Sequence, residues 1–418
     1  MKSITSTHLF RAAVGVIALH IADDNFFQPE AGTSAGDHLV SGLLPLALLA
    51  LAAWGFPRLS GGRRGALALF IAPLGIATGI EAIHYANQVG ASGDDFTGFL
   101  TIPAGLLLIG LGAATLWRTR RTNGNLAWRY SRRGLFTIAG LVAAYVFVFP
   151  IGFAYVTSHT ARAVVPEDQL GAAHENVSFE TSDGLMLRGW YVPSRNGAAV
   201  ISFPGRKGTQ RPARMLARHG YGVLVFDRRG EGESDGDPNA FGWNGDRDVK
   251  AAIDYLQTRS DVDPHRIGGI GLSVGGEMML EAAAEDHDFR AVVSEGAGAR
   301  AYSDSIDELD YQENTDPVSE VLYAVNSAVR VGALSVLTNQ APPKNLESLV
   351  GRIAPRPVML IAAPNSKHGE ELNRDYYAAA KQPKTLWEIP ESKHTGGIEA
   401  RPREYERRVV GFFDDALR

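Results

Sequence analysis

A chain of 418 residues is longer than one compact core usually needs, so two or more domains are expected. With no cysteine it has no disulfide, no thiolate metal site and no cysteine nucleophile. Its formal net charge of −5, with arginines grouped only in short loops between apolar runs, excludes an electrostatic footprint for nucleic acid.

The first 157 residues are dominated by apolar runs. Residues 39–56, 66–80, 99–117 and 135–156 each approach the roughly 20 apolar residues that a membrane-spanning helix requires. A shorter run at 12–22, bounded by Arg11 and by Asp23 and Asp24, is a candidate fifth span, interfacial helix or signal segment; further spans and the lack of a small-residue cleavage site argue against the last. The loops alternate in charge. Arg58, Arg63 and Arg64 lie in one, and Arg118, Arg120, Arg121, Arg129, Arg132 and Arg133 in another. The intervening loops carry Asp23, Asp24, Glu30 and Asp37, then Asp94 and Asp95. Placing the arginine loops in the cytoplasm makes this a multi-pass cell-membrane protein with everything after about residue 158 extracytoplasmic. His20, Glu81 and His84 fall near span ends, where outer-interface water can reach them.

Residues 158–174 read as a linker. From about 175 onward, short apolar strands alternate with helical stretches, the pattern of a mostly parallel sheet wrapped by helices. Strands are expected at 177–181 and 185–192, joined at Ser182-Asp183-Gly184 as a hairpin, and then at 198–203 and 222–226. Helices are expected at 212–219 and 246–258. The apolar stretch 266–270 leads into Gly271-Leu272-Ser273-Val274-Gly275, a G-x-S-x-G sequence, and then into strong helix formers from Glu277 to Ala284. Strand, sharp turn and helix are what an exposed serine nucleophile on a strained turn needs. Strands follow at 291–294, 357–362 and 385–389, and a helix at 404–417 closes the chain. Residues 297–350 lack a clear strand and are expected to form a helical lid insertion over the site.

A serine hydroxyl needs a base. His394 follows the last expected strand on a glycine-containing loop and fits that role better than His287 or His368. Together these residues make the second half, about 175–418, resemble the α/β-hydrolase superfamily, in particular its dienelactone-hydrolase and serine-aminopeptidase-like branches. The resemblance implies that Ser273 is the nucleophile and that the Val274 N–H is one oxyanion donor. Phe203-Pro204-Gly205-Arg206 stands where the family has its oxyanion loop, which implies the Arg206 N–H as the second donor. Asp227-Arg228-Arg229-Gly230-Glu231-Gly232-Glu233-Ser234 matches a D-x-R-G-x-G-x-S loop that is structural in the family.

The chain departs from that pattern at the acid. The aspartate usual after the strand at 357–362 falls near Ser366, which carries no charge. Glu371, Glu370 and Glu295 are the remaining candidates, Glu371 being placed slightly ahead of Glu370. The resulting expectation is an N-terminal α-helical membrane domain of four or five spans (1–157) and a C-terminal α/β-hydrolase domain (175–418). This describes a serine hydrolase needing no cofactor or metal. It would act on a small-molecule or lipid-like ester, thioester or amide at the bilayer, with no nucleic-acid partner. The oligomeric state is left open. The alternative is a catalytically degenerate hydrolase serving as a binding or sensing module.

Overall fold

The computed structural model describes residues 5–29, 34–36, 38–89, 91, 93–120, 125–158, 165, 170–236, 242–311, 316–366 and 370–417. Much of the expected linker, Glu30, Asp37, Arg121 and His368 lie outside these residues. The chain forms two compact units, one from Met1–Ala161 with Val321–Ala341 and the other from Arg162–Glu320 with Pro342–Arg418.

The first unit is helical: α1 (Ser6–Ala22), α2 (Leu39–Gly55), α3 (Gly61–Val89), α4 (Thr101–Thr119), α5 (Leu126–Ala143) and α6 (Phe149–Ser158). A π-helical turn at Ala144–Val148 joins α5 and α6 into one long rod. Four segments here, Ser41–Arg58, Gly61–His84, Asp95–Thr119 and Leu126–Tyr155, are long and apolar enough to cross a membrane. Helix α1, which runs on into a π-helical turn at Asp23–Phe27, is not among these four. Small residues let α3 and α4 meet backbone to backbone. A Cβ at Gly65 would lie 2.9 Å from the Gly112 carbonyl, and one at Gly105 would lie 2.8 Å from the Ala72 carbonyl, the close approach typical of helices packed in lipid. His20 is buried, its Nδ1 3.2 Å from the Thr97 hydroxyl, which in turn donates to Asp23. Glu81 is half-buried and His84 exposed.

The second unit is an eight-stranded sheet: β1 (Glu175–Glu180), β2 (Met186–Val192), β3 (Ala199–Phe203), β4 (Gly222–Phe226), β5 (Ile267–Leu272), β6 (Ala291–Glu295), β7 (Val358–Ala362) and β8 (Lys384–Glu388), in the order β1-β2-β4-β3-β5-β6-β7-β8. The opening hairpin pairs Glu180 with Met186, and β2 also meets β4 antiparallel; the other pairs are parallel. Strands β3 to β7 are buried along their whole length, which is why they read as continuous apolar runs without alternation. The helices of eight or more residues in this half are α7 (Arg211–Arg218), α8 (Gly245–Gln257), α9 (Val274–Glu285), α10 (Pro317–Thr338), α11 (Leu372–Ala379) and α12 (Pro402–Ala416). One apolar cluster joins α8, α9 and α11 to the sheet and another joins α7 and α12 to it, so helices cover both faces. The strand order reverses about β3, whose neighbours are β4 and β5. In such sheets ligands bind beyond the carboxyl ends of the strands at that reversal, and Ser273 directly follows β5 there.

Residues 297–350, expected as one lid insertion of the second domain, are divided between the two units. Residues Val321–Ala341 group with the first, and α10 is itself long and apolar enough to cross a membrane. The fifth candidate span among the described residues is therefore α10.

Candidate active site

Ser273 is the residue between β5 and α9, and its backbone has φ 54° and ψ −127°. A side chain in that left-handed conformation is strained, and the turn holds it only because its neighbours are glycines. A Cβ at Gly271 would sit 2.1 Å from the Gly275 carbonyl oxygen, and one at Gly275 would sit 2.5 Å from the Phe203 ring. The G-x-S-x-G spacing is thus a packing requirement of the turn.

His394 reaches this serine from the loop after β8. Its Nε2 is 2.9 Å from Ser273 Oγ, and its Nδ1 is 2.7 Å from Glu370 Oε1. The loop is held from below by Glu295. One carboxylate oxygen accepts the Gly397 N–H and the other the Tyr405 hydroxyl, each at 2.7 Å, while the Glu295 carbonyl accepts the Ser273 N–H at 2.8 Å. Burial raises the Glu295 carboxyl above the ordinary range, against the lowering effect of those two donors. Gly296, at φ +70°, leaves room for the pair above it: a Cβ there would meet His394 Cε1 at 3.2 Å and Glu370 Oε1 at 3.3 Å.

Of the three glutamates considered from the sequence, the one beside His394 is Glu370. It is buried, and its carboxylate also accepts the Ala363 N–H and, at 3.1 Å, the Ser366 hydroxyl. Glu371 stands at the N-cap position of α11 without a side-chain capping bond, and Glu295 is committed to Gly397 and Tyr405. The preference for Glu371 over Glu370 is therefore reversed. In a helical turn adjacent residues point about 100° apart, and only one of two neighbours can face the histidine.

The Arg206 N–H does not face the serine as expected. It donates to Asp227 Oδ1 at 2.9 Å, and the Arg206 guanidinium clasps the same carboxylate at 2.6 and 2.9 Å. Both side chains are buried. Burial raises the Asp227 carboxyl, opposed by the Arg206 charge and hydrogen bonds. The Val274 N–H, in the first turn of α9, has no acceptor within its own helix and is placed next to Ser273 by sequence.

Residues 159–383 match the family of X-Pro dipeptidyl-peptidases (S15 family). The chain belongs to that family. It is an α/β hydrolase. YfhR of Escherichia coli strain K12 is 27% identical over 261 residues, covering 58% of this chain and 81% of that protein. The α/β hydrolase GrgF of Penicillium sp. sh18 is similar in structure, with TM-score 0.48 and 22% identity over 59% of this chain and 99% of that one. The esterase Pf2001 of Pyrococcus furiosus has TM-score 0.48 and 22% identity over 62% of this chain and 98% of that one. The S15 match contains Ser273 and Glu370 and ends before His394.

Two features of this S15-family chain had no sequence expectation. Ser366 donates to Glu370, which only the fold of the loop reveals. Glu277, one turn past Ser273 on α9, is buried and accepts the Gly298 N–H at 3.1 Å. Burial pushes its carboxyl up to about 7, opposed by Arg300 and the Gly298 N–H. An acidic residue inside an apolar helix face is the one signal the sequence offered for it.

Proposed function

We propose that the protein is a membrane-anchored serine hydrolase that cleaves an ester, thioester or amide. The observation carrying this reading is the continuous chain of hydrogen bonds from Ser273 Oγ through His394 to Glu370. Ser273 Oγ attacks the carbonyl carbon while its proton passes to His394 Nε2. The oxygen of the tetrahedral intermediate is stabilised by the Val274 N–H. The C–O, C–S or C–N bond then breaks and His394 returns the proton to the leaving group. Water, deprotonated by the same nitrogen, releases the acid and restores Ser273. Glu370 keeps the imidazole proton on Nδ1, so that Nε2 is free to accept, and stabilises the imidazolium that forms. Glu295 and Asp227 act through other residues: one secures the histidine loop and the other the segment after β3. Apolar helices of the first unit would anchor the enzyme, and the arginine loops favour an extracytoplasmic hydrolase domain, spanning about 175–418. That address favours acyl substrates drawn from the envelope.

The test is labelling of the full-length protein by a fluorophosphonate. Labelling that disappears in Ser273→Ala is expected. Folded wild-type protein that does not label would overturn the enzyme reading in favour of a binding or sensing module. A series of acyl esters of graded chain length, assayed on the unlabelled full-length protein, would then define the substrate class.

A further inference from the structure

Helix α10 poses a topological problem. Its 22 residues are long and apolar enough to cross a bilayer, and its inner part groups with the apolar helices of the first unit. The Asn326 amide donates to the Tyr145 carbonyl at 2.6 Å, within the π-helical turn that joins α5 and α6. Yet α10 is inserted between β6 and β7, which pair residue by residue from Val292↔Val358 to Glu295↔Ile361. One folded sheet lies on one side of a membrane, so the segment between two of its neighbouring strands must cross an even number of times.

A return crossing does not fit. Before α10, the Tyr311 hydroxyl is bonded to Asp375 at 2.8 Å, in the hydrolase unit. After it, Leu346, Leu349 and Val350 are buried in the sheet's apolar cluster. Only seven residues, Asn339 to Asn345, separate the end of α10 from Leu346. Fully extended they reach about 25 Å, less than the roughly 30 Å hydrocarbon core, and an extended strand in lipid would leave its backbone groups unpaired.

One face of α10 is nonetheless apolar and uncovered. Val318, Val321, Val325, Ala328 and Gly332 recur at helical spacing and are all exposed, the three valines by 67%, 63% and 41%. Asn326, Ser327, Val331 and Leu334 are the buried residues of the same helix. Polar groups bound the stripe. Asp316 accepts the Val318 and Ser319 N–H groups at the start, and the Ser335 hydroxyl donates to the Gln340 carbonyl at the end.

We propose that α10 is a monotopic membrane helix, entering and leaving the bilayer on the side of the hydrolase domain, with its valine stripe against phospholipid acyl chains. The occupant is lipid because this helix is bonded to a segment that is itself apolar enough to span. The connectivity of the sheet forbids it from spanning.

The absence of native cysteine makes the test direct. Single-cysteine full-length proteins are reconstituted into sealed phosphatidylcholine vesicles and challenged with a membrane-impermeant maleimide. Glu320→Cys and Ala341→Cys, at the two ends of α10, are expected to label from the same side as Lys381→Cys on the hydrolase domain, with Arg118→Cys labelling from the opposite side. Labelling of the two α10 ends from opposite sides would overturn the proposal. A bimane placed at Val321→Cys or Val325→Cys is expected to lose at least half its fluorescence in vesicles with brominated acyl chains, while one at Lys381→Cys is unaffected. Unquenched fluorescence at both valine positions would place the stripe in water and equally overturn it. Neither readout depends on hydrolase activity.

Discussion

Replacing Glu370 by glutamine tests the assignment of the acid most sharply, because the structure dictates what the amide must do. The carboxylate meets three donors: the Ala363 N–H on one oxygen, His394 Nδ1–H and the Ser366 hydroxyl on the other. Glutamine has one oxygen. If it stays on Ala363, the NH2 group faces His394 Nδ1, which must then accept, and the ring proton moves to Nε2. That proton points at Ser273 Oγ, 2.9 Å away, and the base is lost. If the amide flips, NH2 faces the Ala363 N–H, and two buried donors meet at a cost of about 1–3 kcal/mol. The first orientation wins, and with it the inactive tautomer. Loss of a triad carboxylate through the wrong tautomer lowers kcat by roughly 10⁴-fold in the serine protease for which it is best documented, about 5 kcal/mol at ~1.36 kcal/mol per tenfold. We expect 10³- to 10⁴-fold here, measured as kcat/KM on a short-chain p-nitrophenyl ester with the full-length protein in detergent and a thermal melt to confirm folding. Glu371→Gln should stay within about threefold of wild type. A Glu370→Gln enzyme retaining more than a tenth of wild-type activity, or a Glu371→Gln enzyme that loses as much, would refute the assignment.

Other perturbations separate packing from chemistry. Gly296→Ala forces a side chain into φ +70° and to 3.2 Å from His394 Cε1; a loss of about 1–2 kcal/mol and a fall in kcat of at least tenfold are expected, and unchanged kinetics would show that the histidine tolerates displacement. Asp227→Ala strands the buried Arg206 guanidinium, with only the exposed Glu233 left to it, and should cost about 3–5 kcal/mol by thermal or chemical unfolding. For Glu277 the sign follows from its raised value. The folded protein keeps this proton up to about pH 7, whereas an unfolded chain releases it near its ordinary value. Between the two, stability falls as pH rises, by about 1.4 kcal/mol per unit and roughly 3 kcal/mol in all. Glu277→Gln should therefore show a smaller loss of melting temperature from pH 5 to pH 8 than wild type, and an identical pH slope would exclude the burial effect.

The strands of the sheet were legible because burial on both faces leaves nothing to alternate, so β3 to β7 appear as plain apolar runs. Ser273 and His394 were legible for a related reason: a short motif specifies its own turn, and the loop after the last strand has few ways to go. Three features were not. Glu370 and Glu371 are chemically equal neighbours, and choosing between them requires knowing how residues 363 to 370 curl before α11 begins. The Arg206 N–H was assigned by its distance from β3, but its true acceptor, Asp227, lies 21 residues away in sequence and next to it only through the pairing of β3 with β4. Helix α10 escaped notice as an apolar segment because Glu320, Asn326 and Arg330 interrupt it, and its helical character was absorbed into an expected lid.

In the resembled superfamily the carboxylate sits in the loop after the strand that is β7 here, where this chain has Ser366. The hydroxyl of Ser366 is hydrogen-bonded at 3.1 Å to the same Glu370 oxygen that meets His394. The serine thus stands next to the place a loop aspartate would fill, and the charge arrives from four residues further on by a side chain one methylene longer. If the histidine requires a carboxylate at that point in space and is indifferent to its origin, the two positions can exchange roles. Glu370→Ser alone removes the charge and should lose about 10⁴-fold. Ser366→Asp alone sets two carboxylates against each other and should also be impaired. In the double variant the introduced aspartate has His394 to itself, and the introduced serine is too short to compete. Recovery of at least a hundredfold in kcat/KM over Glu370→Ser is expected. A double variant no better than that single one would mean that the glutamate's contact with the Ala363 N–H, and not merely its charge, holds the site together.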